Sequence, residues 1–430
     1  MSSPRCRRAR SPSSARCTPV STDATPAEVP LLDHHCHGVT TGELDRAAFE
    51  SLITESDWDA PEGTTHFDTQ VGFAIRRHCA PVLGLEPFAT AEEYLARRRE
   101  LGGAEVSRRL LRATGISDYF IEIGHRADEI LEPAEMADAG AARAFEIVRL
   151  ERLAEELVID GIRPDEFRSA YARLLDERLR RAIGVKSIAA YRIGLDFEPG
   201  RPTTDEVDVA VARWVRGADG TSPLDGDVRL DDPVIIRHLL WAAVDRACAI
   251  QFHIGYGDAD VDLHRCNPLL LTEFLRQTRA SGARVMLLHC YPFHREAGYL
   301  AQVFPHVYFD VGLAINYTGS RSDEIIAETL ELAPFHKILF SSDAFGAAEL
   351  YHLGALLFRR GLQRALDTFS ERDGWPAGER SRVTELIAWR NARRAYRLDD
   401  ALFAVTTGSI GADGRSIPDG RSGSLAQETS

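Results

Sequence analysis

The chain has 430 residues, enough for two or three average domains or one large barrel with insertions. Its 44% hydrophobic and 27% charged composition is ordinary for a soluble globular protein, and a net charge of -14 argues against a nucleic-acid or anionic-membrane surface as partner. No apolar run reaches the roughly 18 residues of a membrane span, and seven scattered cysteines form no disulfide framework.

Met1 to Val20 carries Arg5, Arg7, Arg8, Arg10 and Arg16 among Ser and Pro, with no acid. Residues 1–28 are expected to be a disordered extension, since no apolar stretch suits secretion. The Gly- and Ser-rich stretch 404–430 reads as a disordered tail, leaving one domain over 29–403. Cys36, Cys248 and Cys290 lie in or beside apolar runs, as expected of reduced core thiols in a cytoplasmic protein.

The first strand is Leu31-Leu32-Asp33-His34-His35-Cys36-His37-Gly38, an apolar lead into a polar cluster that stops at glycine. Strand alternation puts His35 and His37 on one face and His34 and Cys36 on the other. Paired imidazoles at a strand end can bind one borderline-soft metal such as zinc, or can simply be hydrogen-bonded. Residues 41–112 then read as a helical insertion, with helices over Glu43–Thr54, Phe73–Leu83 and Ala91–Leu101. An insertion placed there forms a lid or a subunit contact, so a homo-oligomer is one possible assembly.

From Ile116 short apolar segments alternate with amphipathic helices. The segments are Tyr119–Ile123, Phe145–Leu150, Gly184–Tyr191, Ala247–His253, Arg284–His289, Val307–Val311 and Lys337–Asp343. With the opening strand these make eight, and strand–helix alternation over eight units implies a closed (β/α)8 barrel of the TIM type. An open doubly wound sheet would need a glycine-rich turn after the first strand, and there is none.

What ends these strands is the functional signal: His35 and His37, then His253, His289 and Asp343. In a parallel barrel such termini converge on one face, where active sites sit. Glu122 ends the second strand and could bind a substrate amine or close a rim salt bridge. Arg192, with Tyr191 at the end of the fourth, could grip a substrate carboxylate or pair with a neighbouring acid. Asp258 and Asp260 suit a turn, and Tyr317 a pocket wall. Lys186 stands near the start of its strand, so its side chain is expected low in the barrel, away from a metal.

His-x-His after strand one, His after strands five and six, and Asp after strand eight resemble the amidohydrolase superfamily. The strings Phe252-His253-Ile254-Gly255-Tyr256-Gly257-Asp258, Leu288-His289-Cys290-Tyr291-Pro292-Phe293 and Phe340-Ser341-Ser342-Asp343-Ala344-Phe345-Gly346 resemble its amidohydrolase-related branch. They are similar above all to the domain that fungi fuse to a glutamine-synthetase-like portion in FluG-type proteins. Asn391–Leu398 resembles that branch's closing helix. No such portion follows here, so the resemblance implies a free-standing version.

The resemblance implies one divalent metal, zinc by default with manganese or iron compatible, held by His35, His37, His253 and Asp343. It implies that Asp343 takes a proton from an activated water and that His289 is the second acid/base or an oxyanion stabiliser. Many superfamily members bridge two metals with a carboxylated strand-four lysine; the low position expected of Lys186 favours a single metal. The implied reaction is hydrolysis of an amide-type C–N bond in a small carboxylate-bearing substrate. A decarboxylase, a uronate-isomerase-like enzyme and a non-catalytic scaffold barrel are the alternatives.

Overall fold

The structure, a computed structural model, describes residues 29–218 and 228–398. The expected extension 1–28 and tail 404–430 lie outside the described residues. Seven parallel strands form one sheet in sequence order: β1 Leu31–Cys36, β2 Ile116–Glu122, β3 Arg143–Arg149, β4 Gly184–Ser187, β5 Ala249–Ile254, β6 Arg284–His289 and β7 Val307–Phe309. The extended segment 338–343 takes the eighth place. Its Leu339 N–H donates to Phe309 O at 2.9 Å, and its Phe340 O accepts from His34 N at 3.2 Å, so it joins β7 to β1 and closes the barrel. Sparse ladder bonding, not a break in the circuit, is why it falls short of a regular strand.

The barrel floor is apolar: Leu32, Phe120, Ile147, Met286, Leu288, Tyr308 and Leu339 pack together with Tyr396 from the closing helix. Above it lies a polar layer. His34 bonds the Asp310 carboxylate through Nε2 at 3.0 Å and the Tyr396 hydroxyl through Nδ1 at 3.0 Å; Gln251 donates to Tyr396 and to the His34 carbonyl. The functional termini stand above this layer.

His34 was expected on the face opposite His35, yet both reach the barrel interior. Between Asp33 and Cys36 the register shifts, three steps of β1 opposing two of β2. Such a bulge breaks strict alternation, so consecutive side chains can serve the interior. Cys36 turns outward into the strand–helix core, where its thiol meets Phe120 O at 3.6 Å.

Between β1 and β2 the described chain is helical, as read from the sequence, but shorter and more broken. Arg46–Ser51 is the first helix. The expected helix Phe73–Leu83 widens into a π turn over Ile75–Cys79 before Pro81, which has no N–H to donate. Ala91–Leu101 forms as read, with Thr90 and Glu93 making a capping box. From that helix Tyr94 donates to Glu349 at 2.7 Å and Arg98 pairs with the same buried carboxylate. Glu349 opens the long helix Ala348–Asp373, so the insertion is anchored just beyond the end of the eighth segment. Among the described residues no helix is long and apolar enough to cross a membrane. Cys36, Cys79, Cys248, Cys266 and Cys290 are free and buried.

Asp33 pins the eighth segment to β1, accepting from Ser342 N at 2.9 Å and from the Ser342 hydroxyl. Burial raises its pKa to about 8, with Asp343 adding repulsion. A raised carboxyl pKa means that the folded state keeps a proton that the unfolded state has released. Between about pH 4 and 8, therefore, the Asp33 contribution to stability falls as pH rises. Asp33→Asn is expected to flatten that part of the stability–pH curve, as read by urea unfolding at several pH values. An unchanged slope would contradict it.

Candidate metal centre and active site

Five side chains at the barrel mouth come together. Asp343 Oδ1 lies 3.0 Å from His35 Nε2 and 3.9 Å from His37 Nε2, and its Oδ2 lies 3.0 Å from His289 Nδ1. The His253 ring centroid is 4.7 Å from that of His289. All four imidazoles are buried. Among the described residues one group brings three candidate metal-ligand atoms within 4.8 Å of one another: His35, His289 and Asp343. The tight trio thus includes His289, read as an acid/base, while His37 and His253 stand at its edge.

The backbone is shaped for this. His289 and Asp343 have φ of 67° and 49°, left-handed values that cost a non-glycine residue about 1–3 kcal/mol each and cluster at functional sites. His37 Nδ1 lies 2.9 Å from the Glu122 carbonyl, so it carries the proton and Nε2 keeps its lone pair toward Asp343. Buried nitrogens of two rings, His35 Nδ1 and His253 Nε2, have no hydrogen-bond partner, while His289 Nδ1 faces the Asp343 carboxylate. Burial holds the His35 and His253 pKa values well below normal, keeping those rings neutral. Asp343 is driven the other way: burial opposes its charge, but His289 and His35 outweigh burial and hold it ionised. Neutral imidazoles with spare lone pairs around a carboxylate are a donor set for a divalent cation.

Lys186 is not low in the barrel. Its Nζ lies 3.1 Å from His35 Nε2, and it lines the cavity. The reason is the length of β4, which stops at Ser187; the predicted continuation to Tyr191 is instead the short helix Ala189–Arg192. Lys186 therefore stands one residue from the strand's end. Burial lowers its pKa.

Glu122 is placed elsewhere than a substrate site would require. It is fully buried, paired with Arg149, bonded to Gly124 N and 3.7 Å from His37 Nδ1. It supports His37 from behind. Arg192 and Tyr191 do line the cavity. Arg192 pairs with Glu155 at 3.1 Å through Nη2 and leaves Nη1 without a partner, and the Tyr191 ring lies 4.5 Å from that of His253. Asp258, Asp260 and Tyr317 also face the cavity, which measures about 480 Å³.

Two contributors escaped sequence reading. Asp310 binds His34, His289 N at 3.1 Å, Gly312 N at 2.8 Å and Ser341 Oγ at 2.7 Å, tying the floor to the site. Its position after an apolar run ending β7 was a signal, the same one that marks Asp343. The insertion supplies Thr54, Glu55 and Asp57 to the cavity wall, and no periodicity points to them.

The amidohydrolase family model matches residues 89–398. The chain belongs to the amidohydrolase family. The match starts after β1, so His35 and His37 lie outside it and join the site through the fold. The Emericella nidulans protein fluG is 31% identical over 229 residues, which are 51% of this amidohydrolase and 26% of fluG. The aligned part is thus about a quarter of that protein's length. A Lactobacillus casei chain provisionally named a metal-dependent hydrolase is 29% identical, with a TM-score of 0.73 over 87% of this chain and 97% of its own. A Bacillus halodurans uronate isomerase superposes with a TM-score of 0.59 at 14% identity, over 89% of this chain and 96% of its own. That likeness shows the barrel fold and nothing finer.

Proposed function

We propose that this amidohydrolase is a metal-dependent hydrolase that cleaves an amide-type C–N bond in a small, carboxylate-bearing substrate. The observation that carries the reading is the cluster of four buried imidazoles around the ionised Asp343, with His35 Nε2 and His289 Nδ1 each 3.0 Å from its carboxylate. His35, His37, His253 and Asp343 would hold one divalent cation; nitrogen donors with one carboxylate suit zinc, and manganese or iron would fit. Such a cation supplies Lewis acidity, lowering the pKa of water and polarising a carbonyl.

The chain's own groups do the rest. Asp343 is ionised and can accept the proton that water releases as its oxygen adds to the carbonyl carbon. His289, against Asp343 Oδ2, can steady the oxyanion or pass a proton to the departing nitrogen as the C–N bond breaks. The unpartnered Nη1 of Arg192 supports the carboxylate assignment, since the Glu155 pairing leaves one edge of the guanidinium free.

The test is elemental analysis of purified protein beside a His35→Ala, His37→Ala double variant, followed by screening N-acyl and γ-glutamyl amides for release of amine. About one equivalent of metal, lost in the variant together with amide cleavage, is the expected result. No metal in either protein after reconstitution would overturn the reading. Two equivalents would bring Lys186 forward as a metal ligand.

A further inference from the structure

The cavity wall holds four arginines, and each already has an acid. Arg126 bonds Glu129 at 2.9 Å, Arg149 pairs with Glu122, Arg192 with Glu155 at 3.1 Å and Arg229 with Asp260 at 2.7 Å. The wall's acids are not matched in the same way. Among the described residues Glu55, Asp57 and Asp258 form no ion pair, although all three line the cavity. Lys186, the remaining cation of the wall, is offset by Asp343, so the uncompensated charge of this cavity is negative.

We propose that Glu55, with Asp57 and Asp258, forms a subsite for a cationic amine on the substrate. Glu55 is half-buried in the loop that follows the first insertion helix, and the Tyr317 hydroxyl faces its carboxylate. The Tyr256 hydroxyl is shut off from solvent without a hydrogen-bond partner, and Glu55 is the charge acting on it most strongly. The rings of Tyr256 and Tyr317 lie 6.1 Å apart, and Tyr191 stands beside Asp258. Carboxylates among tyrosine rings suit an ammonium group, which takes charged hydrogen bonds and the negative faces of the rings together.

Two further observations favour an organic cation. Burial and repulsion from Asp343, Asp258 and Asp57 raise the Glu55 pKa to about 7, which a positive charge in the cavity would reverse. The three acids do not converge as ligands of an ion, since among the described residues His35, His289 and Asp343 are the group with chelating spacing. With the buried Arg192 Nη1 left without a partner in the cavity wall, the substrate class becomes a small amide bearing both a carboxylate and an amine. This rests on the cavity being the substrate cavity of the proposed hydrolase.

The test is calorimetric binding to the metal-loaded protein at mildly alkaline pH, with matched pairs differing in one amine: glutamate against glutarate, and 5-aminopentanoate against pentanoate. In at least one pair the amine-bearing member is expected to bind about tenfold more tightly, the effect of one partly buried charged hydrogen bond. That preference is expected to vanish in Glu55→Gln and to weaken in Asp258→Asn, each confirmed as folded and metal-loaded. No preference in either pair, a preference unaltered in both variants, or a second equivalent of divalent metal lost in Glu55→Gln would overturn the subsite. Binding requires no turnover. A retained amine preference without any amide cleavage would sink the hydrolase reading and spare the subsite.

Discussion

Asp343→Asn is expected to lower kcat/KM about 10³- to 10⁴-fold, the upper range for removing a positioned general base. Asparagine keeps the size of the side chain and accepts left-handed backbone more readily than most residues, so the φ of 49° at this position is retained. What disappears is the charge. An amide cannot take a proton from water at neutral pH, and it no longer draws His35 and His289 toward one point from 3.0 Å on either side. Steady-state kinetics on whichever amide the screen identifies, with thermal unfolding as control, reads the two effects apart. Tm is expected to fall, because His289 and His35 hold the Asp343 pKa well below normal and its charge therefore stabilises the fold at neutral pH, so rates are compared below the transition of the variant. Activity within about threefold of the parent would show that Asp343 is not the base.

The residues at stake in that experiment could be read from the sequence because they interrupt apolar strands at their ends. His35, His37, His253, His289 and Asp343 each follow a run of core residues, and a parallel barrel turns such endings into one cluster. Where the reading strayed, local geometry had overridden periodicity. His34 was assigned to the far face because alternation was taken as strict; the register shift in β1 brings it inside. Lys186 was placed low because the apolar run through Ala190 looked like one strand, whereas the chain leaves the sheet after Ser187 and coils into a short helix. Apolar runs alone do not distinguish a strand from a buried helical turn. Glu55 was illegible for a different reason. Its role depends on how the insertion folds back over the mouth, through contacts such as Arg98 and Tyr94 with Glu349 that span some 250 positions.

Asp310→Ala is expected to cost about 3–5 kcal/mol of stability, as is usual when one partner of a buried ion pair is removed. The carboxylate is fully buried and satisfies His34, His289 N, Gly312 N and the Ser341 hydroxyl at once, so alanine strands all four in the barrel interior. Its effect on pH dependence has a definite sign. Burial opposes the charge, but His34 and the other donors outweigh burial and bring the pKa down to about 2 from 3.8. A depressed carboxyl pKa contributes stability above the unfolded value that is lost as pH falls from about 4 to about 2. The parent should therefore lose stability over that interval more steeply than the variant. Asp310→Asn separates charge from shape: it can still accept from two donors but carries no charge, and an intermediate loss is expected. Urea unfolding of the parent and both variants decides the matter, and a loss below about 1 kcal/mol in Asp310→Ala would show that the polar layer is not a structural tie. Activity should fall further than stability requires, because the same carboxylate fixes the backbone N–H of His289 in its left-handed turn. The floor of the barrel and the chemistry above it are thus joined through one side chain.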